Sequence, residues 1–227
     1  MPLASAPKSV VLTPELRAYL LAQGMGPDDV LDDLARLTRE RFPEQAHMQV
    51  VPEQGSVLTF LARLVGARNV VEVGTFTGYS TLCLARGLTH GGRVITCDVS
   101  PEWTALARPS WSRAGVSHLI DLRLAPALET LRALPSREHV DLAFIDADKP
   151  GYIGYWEELI PRMVPGGLII VDNVLFSGEV VDQYPAEKPA AVRAFNAHAA
   201  VDPRVELVIV PFADGLTLAR KLPPSAR

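Results

Sequence analysis

A β-branched run and a glycine turn stand together at residues 70–80, which read Val70-Val71-Glu72-Val73-Gly74-Thr75-Phe76-Thr77-Gly78-Tyr79-Ser80. The β-branched run Val70–Val73, interrupted only by Glu72, is typical of a short strand that is buried on both faces of a parallel sheet. A helical stretch from Ser80 to Arg86 follows the turn. In an open parallel sheet, a glycine turn between the first strand and a helix marks the crevice where a nucleotide-like ligand binds.

The alternation of strands and helices continues on both sides of this segment. Helix-start patterns occur at Thr13-Pro14-Glu15 and at Pro27-Asp28-Asp29, and residues 53–66 form a third apolar helical face. The remaining predicted strands are Arg93–Cys97, Leu119–Leu122, Val140–Ile145, Leu168–Val171, Val205–Val210 and Leu216–Ala219. The last two are joined by a link that is long enough for a hairpin but too short for a parallel crossover. The pattern predicts an α/β fold with a mostly parallel seven-stranded sheet, one antiparallel strand at or near an edge, and helices on both faces.

Composition narrows the class of protein. The chain has 227 residues, of which 48% are hydrophobic, and this suits one domain over residues 1–227. We expect an N-terminal arm and helices over residues 1–50 and a core over residues 51–222. The net charge of -4 gives no sign of the basic face that nucleic-acid binding needs.

The expected location is the cytoplasm, without membrane attachment. No apolar run approaches the roughly 20 residues that span a bilayer, and no signal-peptide pattern is recognised. Cys83 and Cys97 lie inside apolar runs, so we expect buried structural thiols, which is consistent with a reducing compartment.

The residues around the turn favour a nucleoside ligand with a cationic end. A dinucleotide fingerprint would carry a second glycine where Phe76 stands. Glu72, two residues before Gly74, would repel a pyrophosphate and attract a cation. Asp98 ends the second strand, where an acid can accept hydrogen bonds from ribose hydroxyls. S-adenosylmethionine combines a ribose with a sulfonium and an amino group, so it is the predicted cofactor. An NAD(P)-dependent oxidoreductase is the alternative.

Acidic and amide side chains follow two later strands. Asp146-Ala147-Asp148-Lys149 comes directly after one strand, and Asp172-Asn173 after the next. In a parallel sheet both strand ends lie on one edge, so three acids and an amide should converge. Carboxylates packed that closely repel each other unless one is protonated or a cation sits between them. Oxygen ligands favour a hard divalent cation: Mg²⁺ foremost, with Ca²⁺ or Mn²⁺ as alternatives. Lys149 either pairs with an acid or, beside a cation, acts as a general base.

Four stretches together resemble the cation-dependent O-methyltransferases, the family of the caffeoyl-CoA and catechol O-methyltransferases. The resemblance is closest to the caffeoyl-CoA branch and its bacterial relatives, and it runs from about Met48 to Leu222. The stretches are residues 72–80, Phe144-Ile145-Asp146-Ala147-Asp148-Lys149, Asp172-Asn173-Val174-Leu175-Phe176-Ser177-Gly178 and Asp214-Gly215-Leu216-Thr217-Leu218-Ala219-Arg220.

The resemblance implies a class I, Rossmann-like methyltransferase fold, a homodimer, and methylation of a hydroxyl on a small catechol-like aromatic (a caffeoyl compound, a flavonoid or another vicinal diphenol). By position, the family's metal ligands fall on Asp146, Asp172 and Asn173, and its proposed general base falls on Lys149. The cofactor contacts fall on Val50, Glu72, Gly74, Thr75, Ser80, Asp98 and Ala127, and the substrate contacts on Asp148 and Ser177. A non-catalytic S-adenosylmethionine-binding protein is a further alternative, and the intact Asp146, Lys149, Asp172 and Asn173 set speaks against it.

Overall fold

The structure is a computed structural model in which residues 10–224 are described. A seven-stranded sheet forms its centre, with the order β3-β2-β1-β4-β5-β7-β6. The strands are β1 (Asn69–Val73), β2 (Arg93–Asp98), β3 (Ile120–Leu124), β4 (Val140–Ile145), β5 (Met163–Val171), β6 (Val205–Val210) and β7 (Leu216–Lys221). Strands β1 to β5 pair in parallel, and β7 lies antiparallel between β5 and the edge strand β6. The predicted sheet, with one antiparallel strand near an edge, is therefore confirmed.

Within residues 10–224, eight α-helices surround the sheet. They are α1 (Pro14–Gln23), α2 (Asp29–Arg41), α3 (Pro52–Leu64), α4 (Tyr79–Gly87), α5 (Pro101–Arg113), α6 (Ala127–Arg132), α7 (Tyr152–Leu159) and α8 (Glu187–Ala200). The first two begin where the sequence predicts, because Thr13 and Asp28 accept hydrogen bonds from main-chain N–H groups of the first turn. No helix among these is long and apolar enough to cross a bilayer.

The helices cover both faces of the sheet, as predicted. Successive strand residues point to opposite faces, and apolar residues on each face are buried under helices. Val71 and Ile145 point toward α7 and α8, where Trp156 is fully buried. Val70 and Phe144 point toward the opposite layer, formed by α2 to α5. Cys83 and Cys97 are free and buried, in agreement with the expectation.

Strand β5 is the largest departure from the predicted elements. It begins at Met163, five residues before the predicted start at Leu168. The added segment contains Pro165-Gly166-Gly167, which is typical of a turn, and its pairing with β4 shifts register between Val140 and Leu142. Of the predicted N-terminal arm, residues 1–9 lie outside the described residues.

The order of the strands fixes where a ligand can bind. From β1 the chain proceeds outward through β2 to β3, and it then returns to β4 on the other side of β1. The carboxyl ends of β1 and β4 therefore flank a topological switch point, which is the usual ligand crevice of open α/β sheets. The glycine turn, Asp98 and residues 146–149 all follow strands that end at this edge.

Candidate active site

The glycine turn packs directly against the end of β4. Gly74 has a φ of 99°, and a Cβ on it would fall inside the van der Waals shell of the Asp146 carbonyl oxygen. The main chains are also joined by a hydrogen bond of 2.8 Å from the Asp146 N–H to the Val73 carbonyl. Gly78 is needed for another reason, since its Cβ would lie 2.7 Å from the Trp111 ring of α5. The first glycine thus permits the contact between the turn and β4, and the second permits the contact between the start of α4 and α5.

Asp98 holds the turn closed. Its Oδ2 accepts hydrogen bonds from the main-chain N–H groups of Thr75 (3.1 Å) and Phe76 (2.7 Å), and its Oδ1 accepts one from Ser100 (2.8 Å). A carboxylate offers about four acceptor positions, so these amides leave about one for a ribose hydroxyl. Phe76 has a φ of 47° and thus takes the left-handed conformation that the absent second glycine would adopt readily.

Glu72 does not stand at an open entrance of the turn, as the sequence suggested, but is completely buried. The pleat of β1 directs its side chain into the layer under α4, where the hydroxyls of Thr81 and Thr96 donate to Oε2, the latter at 2.6 Å. Oε1 has no hydrogen-bond partner among the described residues. Burial raises the pKa of the Glu72 carboxyl to about 7, against the opposing effect of the neighbouring hydroxyls. An unpaired buried carboxylate oxygen fits the cationic end of the predicted cofactor.

Lys149 lies at the centre of the polar cluster after β4. Its Nζ is 2.7 Å from Asn173 Oδ1, 3.2 Å from Asp146 Oδ1 and 2.6 Å from the Tyr152 hydroxyl oxygen. The Tyr152 hydroxyl in turn donates to the Asp172 carbonyl at 3.0 Å. Three acceptors match the three protons of an ammonium group. In this arrangement Lys149 is the counter-ion of Asp146, and it can act as a base only after losing one of these protons.

Asp172 is buried beside this cluster, with 3% of its surface exposed. Its Oδ1 accepts a hydrogen bond from the Asn173 N–H at 2.6 Å, and its Oδ2 accepts one from Gln54 Nε2 at 2.7 Å. Burial, and then the nearby charge of Asp146, raise the pKa of the Asp172 carboxyl above its ordinary value. The charged form of Asp172 is therefore disfavoured in this cluster, and an added positive charge beside it would stabilise that form.

The donor set fits a hard divalent cation, although it is smaller than expected. Asp146, Asp172 and Asn173 offer only oxygen donors, and the Lys149 ammonium already lies between two of them. The described residues contain no group of three or more His, Cys, Asp or Glu side chains placed to hold a metal. The expected third acid is not part of the cluster, because Asp148 is exposed and accepts a hydrogen bond from the Tyr155 hydroxyl. A cation here would need water or substrate oxygens to complete its coordination.

The remaining predicted residues lie around the same edge. Thr75 and Ser80 are buried within the turn and the start of α4, and Val50 is buried just before α3. Ala127 is half-buried at the start of α6, after β3. Ser177 is exposed in a left-handed conformation, with a φ of 53°.

Three residues of the site were not predicted from the sequence. Gln54 falls inside a predicted helix, where a polar residue gives no sign of its burial. Tyr152 follows the stretch Asp146-Ala147-Asp148-Lys149 in the chain, and nothing in its spacing shows that its hydroxyl contacts Lys149. Asp214, whose Oδ1 accepts a hydrogen bond of 2.6 Å from the Ser177 N–H, was part of a quoted stretch without a role of its own.

Comparison with known proteins identifies the family of the chain. The family model for O-methyltransferases matches residues 23–222. Catechol O-methyltransferase domain-containing protein 1 of Mus musculus is 40% identical over 97% of this chain and 86% of its own. Caffeoyl-CoA O-methyltransferase 2 of Zea mays is 36% identical over 95% of this chain and 86% of its own. The crystal structure of the O-methyltransferase TomG from Streptomyces achromogenes, involved in tomaymycin synthesis and solved with S-adenosylmethionine, is 31% identical with a TM-score of 0.85, covering 92% of this chain and 96% of that one.

Proposed function

Since this chain belongs to the O-methyltransferase family, as an S-adenosylmethionine-dependent enzyme of the caffeoyl-CoA type, we propose that it methylates one hydroxyl of a vicinal diphenol with the help of a divalent cation. Caffeoyl compounds, flavonoids and simple catechols are the candidate acceptors. We further propose that it acts as a cytoplasmic homodimer made of single-domain chains.

One observation carries this proposal. Lys149 Nζ lies 3.2 Å from Asp146 Oδ1 and 2.7 Å from Asn173 Oδ1, and the main chain of Asp146 lies against Gly74 of the turn. A potential base, oxygens that could hold a cation and the glycine turn proposed for the cofactor therefore lie side by side. Each of these parts alone occurs in proteins that do not transfer methyl groups, but their combination supports transfer to an oxygen.

The residues of the cluster have complementary roles in this reaction. Asp146, Asp172 and Asn173 would hold the cation, which when bound lowers the pKa of a substrate hydroxyl that binds to it. Lys149 would accept the proton of that hydroxyl at Nζ. The Tyr152 hydroxyl, which donates to the Asp172 carbonyl, presents a lone pair to the lysine and keeps its Nζ at the cluster.

The cofactor end of the site is built around the turn. S-adenosylmethionine supplies the methyl group. Asp98 has about one acceptor position free for a ribose hydroxyl, and Glu72 has one unpaired oxygen for a cationic group. The rigid contact between the turn and β4 would keep the donor and the acceptor in fixed relation, which is a large part of what catalysis of this kind requires.

Removal and return of the metal tests the proposal. Product formation with a panel of catechols, caffeoyl-CoA and flavonoids should disappear in chelator and return with Mg²⁺, and matched monophenols should stay unmethylated. Asp146→Asn should weaken Mn²⁺ binding, measured by calorimetry, and should lower turnover by more than the ~10–100-fold typical of losing an outer partner. The S-adenosylmethionine affinity of this variant should change little.

Asp148→Asn is the matched control for this experiment. Asp148 is an exposed acid two residues away from Asp146, outside the oxygen cluster. Its replacement should leave the Mn²⁺ affinity unchanged and affect at most the KM of the acceptor. Full turnover in chelator, or equal loss of metal affinity in both variants, would rule out the proposed cation site.

A further inference from the structure

Gln54 connects the N-terminal part of the chain to the cluster. It lies in the first turn of α3, 118 residues before Asp172 in the chain, and its Nε2 donates to Asp172 Oδ2 at 2.7 Å. Both side chains are almost completely buried, with 2% and 3% of their surfaces exposed. A buried hydrogen bond between two such side chains fixes the rotamers of both, because either partner left alone would be desolvated without compensation.

The chemical nature of this donor matters for a carboxylate that is to bind a cation. An arginine or lysine at this place would cancel the charge of Asp172, whereas an amide holds the carboxylate and leaves its charge available. The other oxygen of Asp172 is held in the same manner, by the neutral N–H of Asn173 at 2.6 Å. Asp172 is therefore fixed through both of its oxygens by uncharged donors.

The first turn of α3 is held firmly in place. A Cβ on Gly55 would lie 2.8 Å from both Cys83 Sγ and the Tyr79 ring of α4, so α3 and α4 pack in close contact there. Glu53, the residue before Gln54, is buried and forms an ion pair of 2.8 Å with Arg17 of α1. The main chain of Gln54 is thus held in place by the packing of α3 against α4.

We propose that Gln54 is a positioning residue that orients Asp172 for the divalent cation. This inference rests on the proposed function, because it assumes that Asp172 binds a metal. The amide would contribute no ligand of its own. Its contribution would be to keep the carboxylate in one orientation, so that binding the cation does not require the side chain to be ordered first.

Gln54→Met tests this, because methionine has a similar length and volume but no N–H group. We expect the dissociation constant for Mn²⁺, measured by calorimetry or electron paramagnetic resonance, to rise by ~10–100-fold. The activation constant for Mg²⁺ should rise in parallel, while kcat at saturating Mg²⁺ should largely recover. The affinity for S-adenosylmethionine should stay within about twofold of wild type.

Thr59→Val is the matched control on the same helix. Thr59 is also buried, and its hydroxyl donates to the Cys83 carbonyl at 2.8 Å, away from the cluster. This variant should lose thermal stability and keep the wild-type Mn²⁺ affinity. If Thr59→Val weakens Mn²⁺ binding as much as Gln54→Met, or if Gln54→Met binds Mn²⁺ as wild type does, the positioning role is wrong. If wild type itself binds no Mn²⁺, the cation site of the proposed function fails first.

Discussion

Replacing Glu72 with glutamine should flatten the dependence of folding stability on pH. Burial raises the pKa of Glu72 from 4.5 to about 7 in the folded protein. Below pH 4.5 the group is protonated in both the folded and the unfolded state and has no effect. Between pH 4.5 and 7 the unfolded chain releases the proton while the folded chain keeps it, so the free energy of unfolding falls as the pH rises.

The size of this effect follows from the raised pKa. At about 1.36 kcal/mol for each unit of pKa, the wild-type protein should lose roughly 3 kcal/mol of stability to Glu72 across this interval, and the loss should be complete above pH 7. Glutamine has nearly the same shape and cannot ionise. The difference between the unfolding free energies of wild type and Glu72→Gln should therefore change by that amount, while contributions from Asp172 and other groups cancel.

Urea unfolding at several pH values from 4.5 to 8, followed by tryptophan fluorescence, measures this difference. Thr96→Val is the informative second variant, because removing a hydroxyl that stabilises the charged carboxylate raises the pKa of Glu72 further. Its decline in stability should extend to higher pH than that of wild type. Parallel stability curves for wild type and Glu72→Gln over the whole range would refute the reasoning.

Two other substitutions test the packing of the site. Gly74→Ala should destabilise the fold by roughly 4 kcal/mol or more, since its Cβ meets the Asp146 carbonyl oxygen; Gly66→Ala, at a φ of 63° with no atom within 4 Å of its Cβ, should cost only about 1–2 kcal/mol. Chemical denaturation compares the pair, and equal losses would contradict the close contact. Tyr152→Phe removes the hydroxyl between Lys149 and the Asp172 carbonyl, and should cost ~1–3 kcal/mol in stability together with a fall in kcat. An unchanged kcat would mean that this hydroxyl does not position the lysine.

The sequence predicts the sheet well because the signals for its strands are local. The run Val140–Ile145 is apolar at five of its six positions, with Asp141 as the exception, and the short link after β6 permits only a hairpin. The parallel order then places Asp98, Asp146 and Asp172 at one edge without any knowledge of side chains. Strand β5 shows the limit of this approach, because the Pro165-Gly166-Gly167 segment is read as a turn although the chain continues as an irregular strand.

Details that depend on contacts between distant segments could not be predicted. The hydrogen bonds from Thr75 and Phe76 to Asp98 depend on how the turn folds back over β2, and the left-handed φ of a phenylalanine contradicts its ordinary preference. The bond between Gln54 and Asp172 joins residues that only the packing of α3 brings together. Glu72 is buried because its side chain points to the face of β1 that α4 covers. The sequence of residues 70–73 does not reveal which face that is.

The contact between Gly74 and the Asp146 carbonyl has a consequence for engineering. The glycine turn and the end of β4 touch through their main chains, so this contact itself involves no side chain that could be exchanged. The segment around Ser177, by contrast, is exposed at Ser177, and it is held by hydrogen bonds from the Ser177 N–H to the Asp214 carboxylate and from the Leu175 N–H to the Asp214 carbonyl. Under the proposed function, substitutions around Ser177 should change acceptor preference with little effect on the affinity for S-adenosylmethionine, while attempts to widen the crevice at Gly74 should disturb both.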